Sequence, residues 1–321
     1  MPGIIMHHHF GHAVYSGLND DIKNVIENED LFDLGLAGPD IFDKVKYFNK
    51  KQNLNYKTMA YVFHTQDTKR YFLTLIEEVK KNRELFGYLC GEIAHYYLDS
   101  LTNPYLYYHT GHYDPFVYNS LKYRGLKEKL QNEIDTYCIV NYYGETPTKF
   151  KIYKEVFKIK KLEPHLEMSF NNIYYDSYGL RDGFKNVNLA IKHSRRFYKM
   201  IYDPLGIKNR FFEFLDNGKS ETVYTHLTFK KKNIDIKRND IFNMNSKIWV
   251  NPIDDSAKSN LSFFDLFDTA KVATTKCITD IYKLIYEDSD INIDYYFNDT
   301  SYYTGKPCNL KCNMTYFANN I

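Results

Sequence analysis

With 321 residues, 44% of them apolar, the chain is long enough to bury a sizeable core as one large domain or two modest ones. Its 42 basic and 40 acidic residues leave a formal net charge of +2, which excludes a field of one sign drawing the whole molecule to nucleic acid or anionic lipid. Five scattered cysteines, Cys90, Cys138, Cys277, Cys308 and Cys312, exclude a disulfide framework and read as reduced thiols.

The first stretch, MPGIIMHHHFGHAVYSGL, has no basic n-region, long apolar run or small-residue cleavage site. No span of about twenty apolar residues occurs elsewhere, so the expectation is a cytoplasmic protein without stable membrane insertion. Leu18, Ile22, Val25 and Ile26 predict a helix over 17–29. Gly35, Gly38 and Pro39 in LGLAGPDIFDK predict a turn that presents Asp40, because none of the three suits a helix interior. Met59, Val62, Phe63, Tyr71, Phe72, Leu75, Ile76 and Val79 lie on one broad stripe and predict a helix over 56–80. A third helix is expected from Arg83 to Asn103, where Pro104 removes an amide donor, and a fourth over 118–141.

Helical patterning returns at 184–203, 205–217 and 262–287, whereas 218–255 is polar and without period, and reads as loops with a short hairpin. The strand signals KIWV and ETVYTHLTF are too few to define a sheet. The fold class is therefore all-α: a helical domain over 1–205 and a helical C-terminal extension over 206–321 packed on it. The run Lys230, Lys231, Lys232, Lys237 and Arg238 reads as a solvated loop. Most of the 31 tyrosines recur at helical spacing and read as core, which leaves few to stack bases.

His95 and Asp99 stand four apart in GEIAHYYLDSLTNPYLYY and so reach one point from one helix face. An imidazole and a carboxylate suit zinc, and a carboxylate with two oxygens can bridge two cations. Alone, the pair reads more simply as a hydrogen-bonded core histidine and its neighbour. His7 after an apolar stretch, Asp40 on its glycine-rich turn and His64 within an amphipathic helix raise the same choice, since a buried imidazole needs either a hydrogen bond or a metal. Cys308 and Cys312 lack a completing pair and read as a surface tail. The chain has neither G-x-G-x-x-G nor a Walker A sequence, and DSYGLRDGF contains no nucleophile elbow.

HHHFGHAV, LGLAGPDIF, YVFHTQ, GEIAHYYLDSLTNPYLYY and NEID, in that order, resemble the zinc-dependent phospholipase C family of bacteria. RNDIFNMNSKIWVNP and SNLSFFDLFDTA resemble the carboxy-terminal segments of its uncharacterised cytoplasmic members, so the resemblance covers nearly the whole chain. It implies a multi-helix bundle binding up to three zinc ions, similar in fold to the single-strand-specific zinc nucleases. His7, Asp40, His64, His95 and Asp99 match the ligand positions, with Asp99 bridging; His8 and His9 remain alternatives to His7.

The chain departs from the family at the remaining metal. Asn103 precedes Pro104 where such relatives have a histidine, Lys129 takes the place of another, and Glu133 is retained. One ligand flanked by an amide and an ammonium makes a poor zinc site, so two zinc ions are expected and the third is absent or weakly held. His109 and His112 are candidate replacements, set against the reading of ordinary loop histidines; Lys129 is a candidate to meet a phosphate oxygen in the vacant cation's place.

The implied activity is phosphoester hydrolysis, with in-line attack at phosphorus by a zinc-activated hydroxide and Asp40 and Asp99 as catalytic carboxylates. The implied partner is a phosphoester, a phospholipid headgroup included; nucleic acid fits the chemistry without support from charge. Two rival readings are a non-catalytic metal-binding domain for a phosphate-bearing ligand or a protein partner, and a single-strand nuclease.

Overall fold

A computed structural model describes residues 2–47, 53–114, 117–217, 223–230, 240–310 and 313–318. Among them the protein is all-α: thirteen helices and one two-stranded sheet. The helices are α1 (Ile4–Gly17), α2 (Asp20–Val25), α3 (Glu29–Ala37), α4 (Asp40–Asp43), α5 (Asn53–Thr65), α6 (Thr68–Lys81) and α7 (Phe86–Thr110), then α8 (Leu126–Asn141), α9 (Ile152–Glu155), α10 (Glu167–Tyr178), α11 (Gly183–Ile201), α12 (Ile207–Asp216) and α13 (Phe263–Tyr286). Lys231, Lys232, Lys237, Arg238 and Cys312, singled out in the sequence, lie outside the described residues.

The long helix α7 is the axis of the fold, flanked by α3 on one side and α13 on another. Its middle, from Leu89 to Leu98, is buried apart from the half-buried Tyr97, because apolar residues occupy most of its faces. Phe242, Trp249, Phe263 and Phe297 join the same apolar core as Phe10 and Phe86. No helix among the described residues is long and apolar enough to cross a membrane.

Several local expectations require correction, each for a tertiary reason. Gly35 lies inside α3, not in a turn: a Cβ there would come within 2.3 Å of the Tyr88 carbonyl, and one at Gly91 within 2.3 Å of the Phe32 carbonyl. The two glycines let the backbones of α3 and α7 cross in direct contact. The turn itself is confined to Gly38 and Pro39, and α4 starts at Asp40.

α7 runs through Pro104 to Thr110 rather than stopping at Asn103. Burial of Tyr105, Leu106 and Tyr107 outweighs the roughly 3 kcal/mol a proline costs inside a helix. The expected helix over 56–80 is two helices, broken where Asp67 adopts φ +51°. The Asp299 carboxylate accepts from the Lys69 amide at 3.3 Å, placing an anion at the start of α6 that local sequence cannot reveal. The helix expected over 17–29 shortens to α2, capped by Asn19, whose side chain accepts from the Ile22 amide.

α1 was legible only as an apolar stretch, and α10 carried no expectation. Asp135 of α8 accepts from the Met6 amide at 3.0 Å and the Ile5 amide at 3.4 Å, satisfying the first turn of α1 from across the core. The hairpin is real but short: Trp249–Asn251 pairs antiparallel with Asp254–Ser259, so KIWV contributes a strand. The described part of ETVYTHLTF instead forms a 3-10 turn at Thr225–Leu227.

Candidate metal centre

Four helices bring five chemistry-bearing side chains to one buried point. α1 supplies His7, the start of α4 supplies Asp40, the last turn of α5 supplies His64, and the middle of α7 supplies His95 and Asp99. His7, His64, His95 and Asp99 are 0–1% exposed, and the Asp40 side chain, at 13%, is the most accessible of the five. In His7, His95 and Asp99, and again in Asp40, His64 and His95, potential ligand atoms lie within 4.8 Å of one another.

The approach distances are informative. His7 Nε2 is 3.2 Å from Asp99 Oδ1, His95 Nε2 is 3.4 Å from Asp99 Oδ2, and His64 Nε2 is 3.4 Å from Asp40 Oδ1 and 3.8 Å from Asp99 Oδ2. None of these atoms has a hydrogen-bond partner among the described residues, although all are buried. An unsatisfied buried polar atom is expensive, and here six from five side chains gather at one point. Bonds of about 2.0–2.1 Å in a tetrahedral zinc site put neighbouring ligand atoms roughly 3.3 Å apart, which matches these gaps. The donor set of imidazole nitrogens and carboxylate oxygens is also zinc's.

The outer nitrogens fix the rings. His95 Nδ1 donates to the Leu36 carbonyl at 3.0 Å and His64 Nδ1 donates to the Ala60 carbonyl, so each Nε2 turns a lone pair inward. The rings of His7 and His95 stack at 4.1 Å. Asp99 offers one oxygen to His7's side and the other to the side of His95 and His64.

Burial penalises charge at His7, Asp40, His95 and Asp99. It dominates at His7, which it pushes down, helped by His95. At Asp99 burial is overcome by His95 and His7, which hold the carboxyl well below the usual range; at Asp40 it is overcome by His64 and then His95. At His95 burial pushes down, but Asp99, joined by Asp40 and Glu92, overcomes it and raises the imidazole to about 9. Among the described residues no lysine or arginine pairs with Asp40 or Asp99. A divalent cation would neutralise both carboxylates.

The three consecutive histidines go to three places. His7 faces the centre; His9 stacks on Tyr142 at 3.9 Å. His8 turns with His12 toward Asp33, a third group with metal-holding spacing. There the charge is already balanced: His12 Nε2 is 2.9 Å and Lys158 Nζ 3.4 Å from the Asp33 carboxylate, which is held to about 2 against the upward push of burial.

The remaining candidates do not reach the centre as a group. Lys129, Glu133 and His109 line a separate cavity of about 570 Å³ that includes none of the five cluster residues. Burial pushes Glu133 up and His109 down to about 4. His112 sits against the Tyr107 ring at 5.8 Å. Asn103 follows Asp99 on the same face of α7, but its amide donates to the Tyr302 carbonyl at 2.7 Å and so anchors the C-terminal segment. Tyr302 also donates its amide to the His64 carbonyl at 2.8 Å, and Tyr303 stacks on the His64 ring at 5.1 Å.

The face of α8 turned toward Asp40 carries Lys127, Gln131 and Asp135, which share with it a pocket of about 160 Å³. Sequence reasoning missed these three, although i, i+4, i+8 spacing marks them as one stripe distinct from that of Lys129 and Glu133. Tyr302 and Tyr303 carried no sequence signal.

A family model described as zinc dependent phospholipase C matches residues 6–201, a span that contains all five cluster residues. Comparison with curated proteins and with solved structures gave no match.

Proposed function

Because the chain belongs to the zinc-dependent phospholipase C family, we propose that it is a zinc-dependent phosphoester hydrolase whose metals are held by His7, Asp40, His64, His95 and Asp99. The observation that carries this reading is the convergence of six unpartnered, buried nitrogen and oxygen atoms at ligand-to-ligand spacing. Two ions are proposed: His7, His95 and Asp99 would hold one, and Asp40, His64 and His95 the other, with the second oxygen of Asp99 3.8 Å from His64 Nε2.

Bound zinc supplies a Lewis acid that polarises a phosphoryl oxygen and lowers the pKa of a coordinated water toward neutrality. The protein's part is to orient and to exclude water. His64 and His95 keep their Nε2 atoms directed inward through their carbonyl partners, and Asp99 is fixed between histidines. Asp40, the one of the five that lines the open pocket, would either help to hold a metal or accept a proton from water there. The substrate is a phosphoester, with a phospholipid headgroup and a soluble phosphodiester both in the class.

A non-catalytic reading is favoured by one specific observation: the C-terminal residues Tyr302 and Tyr303 lie over His64, and Asn103 holds them there. Zinc per chain in protein purified without added metal, paired with hydrolysis of bis(p-nitrophenyl) phosphate and a phosphorylcholine ester, separates the two. Zinc near two per chain with turnover that Asp99→Asn abolishes supports the hydrolase. Bound zinc with no turnover on either substrate, even with Zn²⁺ supplied, supports the binding domain, and a chain that retains no zinc overturns both.

A further inference from the structure

α8 presents two flanks to two cavities. Lys129 and Glu133 face the larger one, whereas Lys127, Gln131 and Asp135 face the small pocket that opens at Asp40. Lys127 is fixed in that pocket by neutral groups. Its Nζ donates to the Tyr107 hydroxyl at 2.8 Å and lies 4.6 Å from the centre of the Tyr107 ring and 5.1 Å from that of Tyr303. Tyr303 in turn stacks on His64, so the ammonium is one ring removed from the proposed metals.

Two features separate Lys127 from a lysine that merely packs. It pairs with no carboxylate among the described residues, whereas Lys44 in the same pocket lies 3.6 Å from Asp43. Its side chain is also half-buried, and the ring faces hold the charge in place while stripping part of its hydration. A preorganised, incompletely hydrated ammonium with donors to spare is what an anionic oxygen would meet on entering beside Asp40.

We propose that Lys127 binds a non-bridging phosphoryl oxygen of the substrate in the Asp40 pocket, supplying the positive charge on the side of the site where Asn103 and the α8 stripe offer no complete set of metal ligands. This assignment rests on the hydrolase reading. The pocket, at about 160 Å³, is smaller than the roughly 300–1,000 Å³ of sites for drug-sized ligands, so the group it admits is the phosphoryl end of a phosphoester.

The test titrates inorganic phosphate calorimetrically into zinc-loaded wild type, Lys127→Gln, Lys127→Arg and Lys129→Gln, with zinc per chain measured on each. Lys127→Met, which keeps the aliphatic stem against the tyrosines, replaces Lys127→Gln if that variant does not fold. Phosphate affinity should fall about tenfold or more in Lys127→Gln, recover largely in Lys127→Arg and stay at the wild-type value in Lys129→Gln, with zinc unchanged throughout. On bis(p-nitrophenyl) phosphate the loss should enter KM before kcat. Phosphorylcholine and phosphatidylcholine vesicles, run in parallel, distinguish a soluble phosphoester from a lipid headgroup, and Lys127→Gln should weaken whichever one binds. Zinc retained with equal phosphate affinity in wild type and Lys127→Gln, or with no phosphate binding by wild type, overturns the Lys127 assignment alone. Failure of wild type to hold zinc overturns the hydrolase reading beneath it.

Discussion

Gly38 lies with its Cα against the ring of His95. It adopts φ +48°, and a Cβ at this position would stand 2.7 Å from His95 Cγ. Only glycine combines that backbone conformation with that approach. The consequence reaches the centre, because α3 ends here, the Leu36 carbonyl that orients His95 is two residues upstream, and Asp40 is two residues downstream. Gly38→Ala should cost about 1–3 kcal/mol in urea unfolding and lower zinc retention. Gly17→Ala, where a Cβ meets nothing within 4 Å, should change neither.

The histidine triplet provides a positional test. His7, His8 and His9 differ by a third of a helical turn at each step, and only His7 points at Asp99. His7→Ala should release the ion shared with Asp99 and reduce the zinc measured per chain. His9→Ala removes a ring stacked on Tyr142 and should leave zinc content at the wild-type value. Equal zinc in the two variants would refute the assignment of His7.

The parts of this arrangement legible in the sequence are those carried by short-range spacing or by family motifs. His95 and Asp99 share a helix face by their separation, and Asp40 follows a glycine-proline turn. The rest depends on contacts far apart along the chain. Asp299 sits at the start of α6, Asp135 caps α1, and Tyr302 and Tyr303 close over His64. No window of sequence contains both partners of any of these. Pro104 misled for the same reason, since the burial that sustains α7 beyond it is tertiary. Position relative to NEID points to Lys129, whereas on α8 it is Lys127 that lines the Asp40 pocket and Lys129 the larger cavity.

Asn103 converts a position on the ligand face of α7 into an anchor. Its amide donates to the Tyr302 carbonyl, and both residues are fully buried. Asn103→Ala leaves that carbonyl without this donor and should destabilise the protein by about 1–3 kcal/mol. The loss should be local first: hydrogen exchange at the Tyr302 amide, which bonds to the His64 carbonyl, should quicken, with zinc content preserved. Unchanged exchange at Tyr302 would show that the segment is held by its other contacts.

Glu92 lies one turn before His95, 2% exposed, with one carboxylate oxygen unpartnered. Burial raises its pKa from 4.5 to about 7, opposed by Tyr88 and by His95. The folded state therefore keeps its proton at pH values where the unfolded chain has lost it. The favourable contribution is complete below pH 4.5 and disappears as pH rises through 7. Over that window the loss is on the order of 3 kcal/mol. Many groups titrate in wild type, including His7 and His95, so the quantity to follow is the difference in unfolding free energy between Glu92→Gln and wild type. That difference should shift in favour of the glutamine variant from pH 5 to pH 8 and level off above it. A difference independent of pH would mean that Glu92 ionises in the folded protein as it does in water, which its enclosure by Tyr71, Tyr88 and Tyr174 argues against.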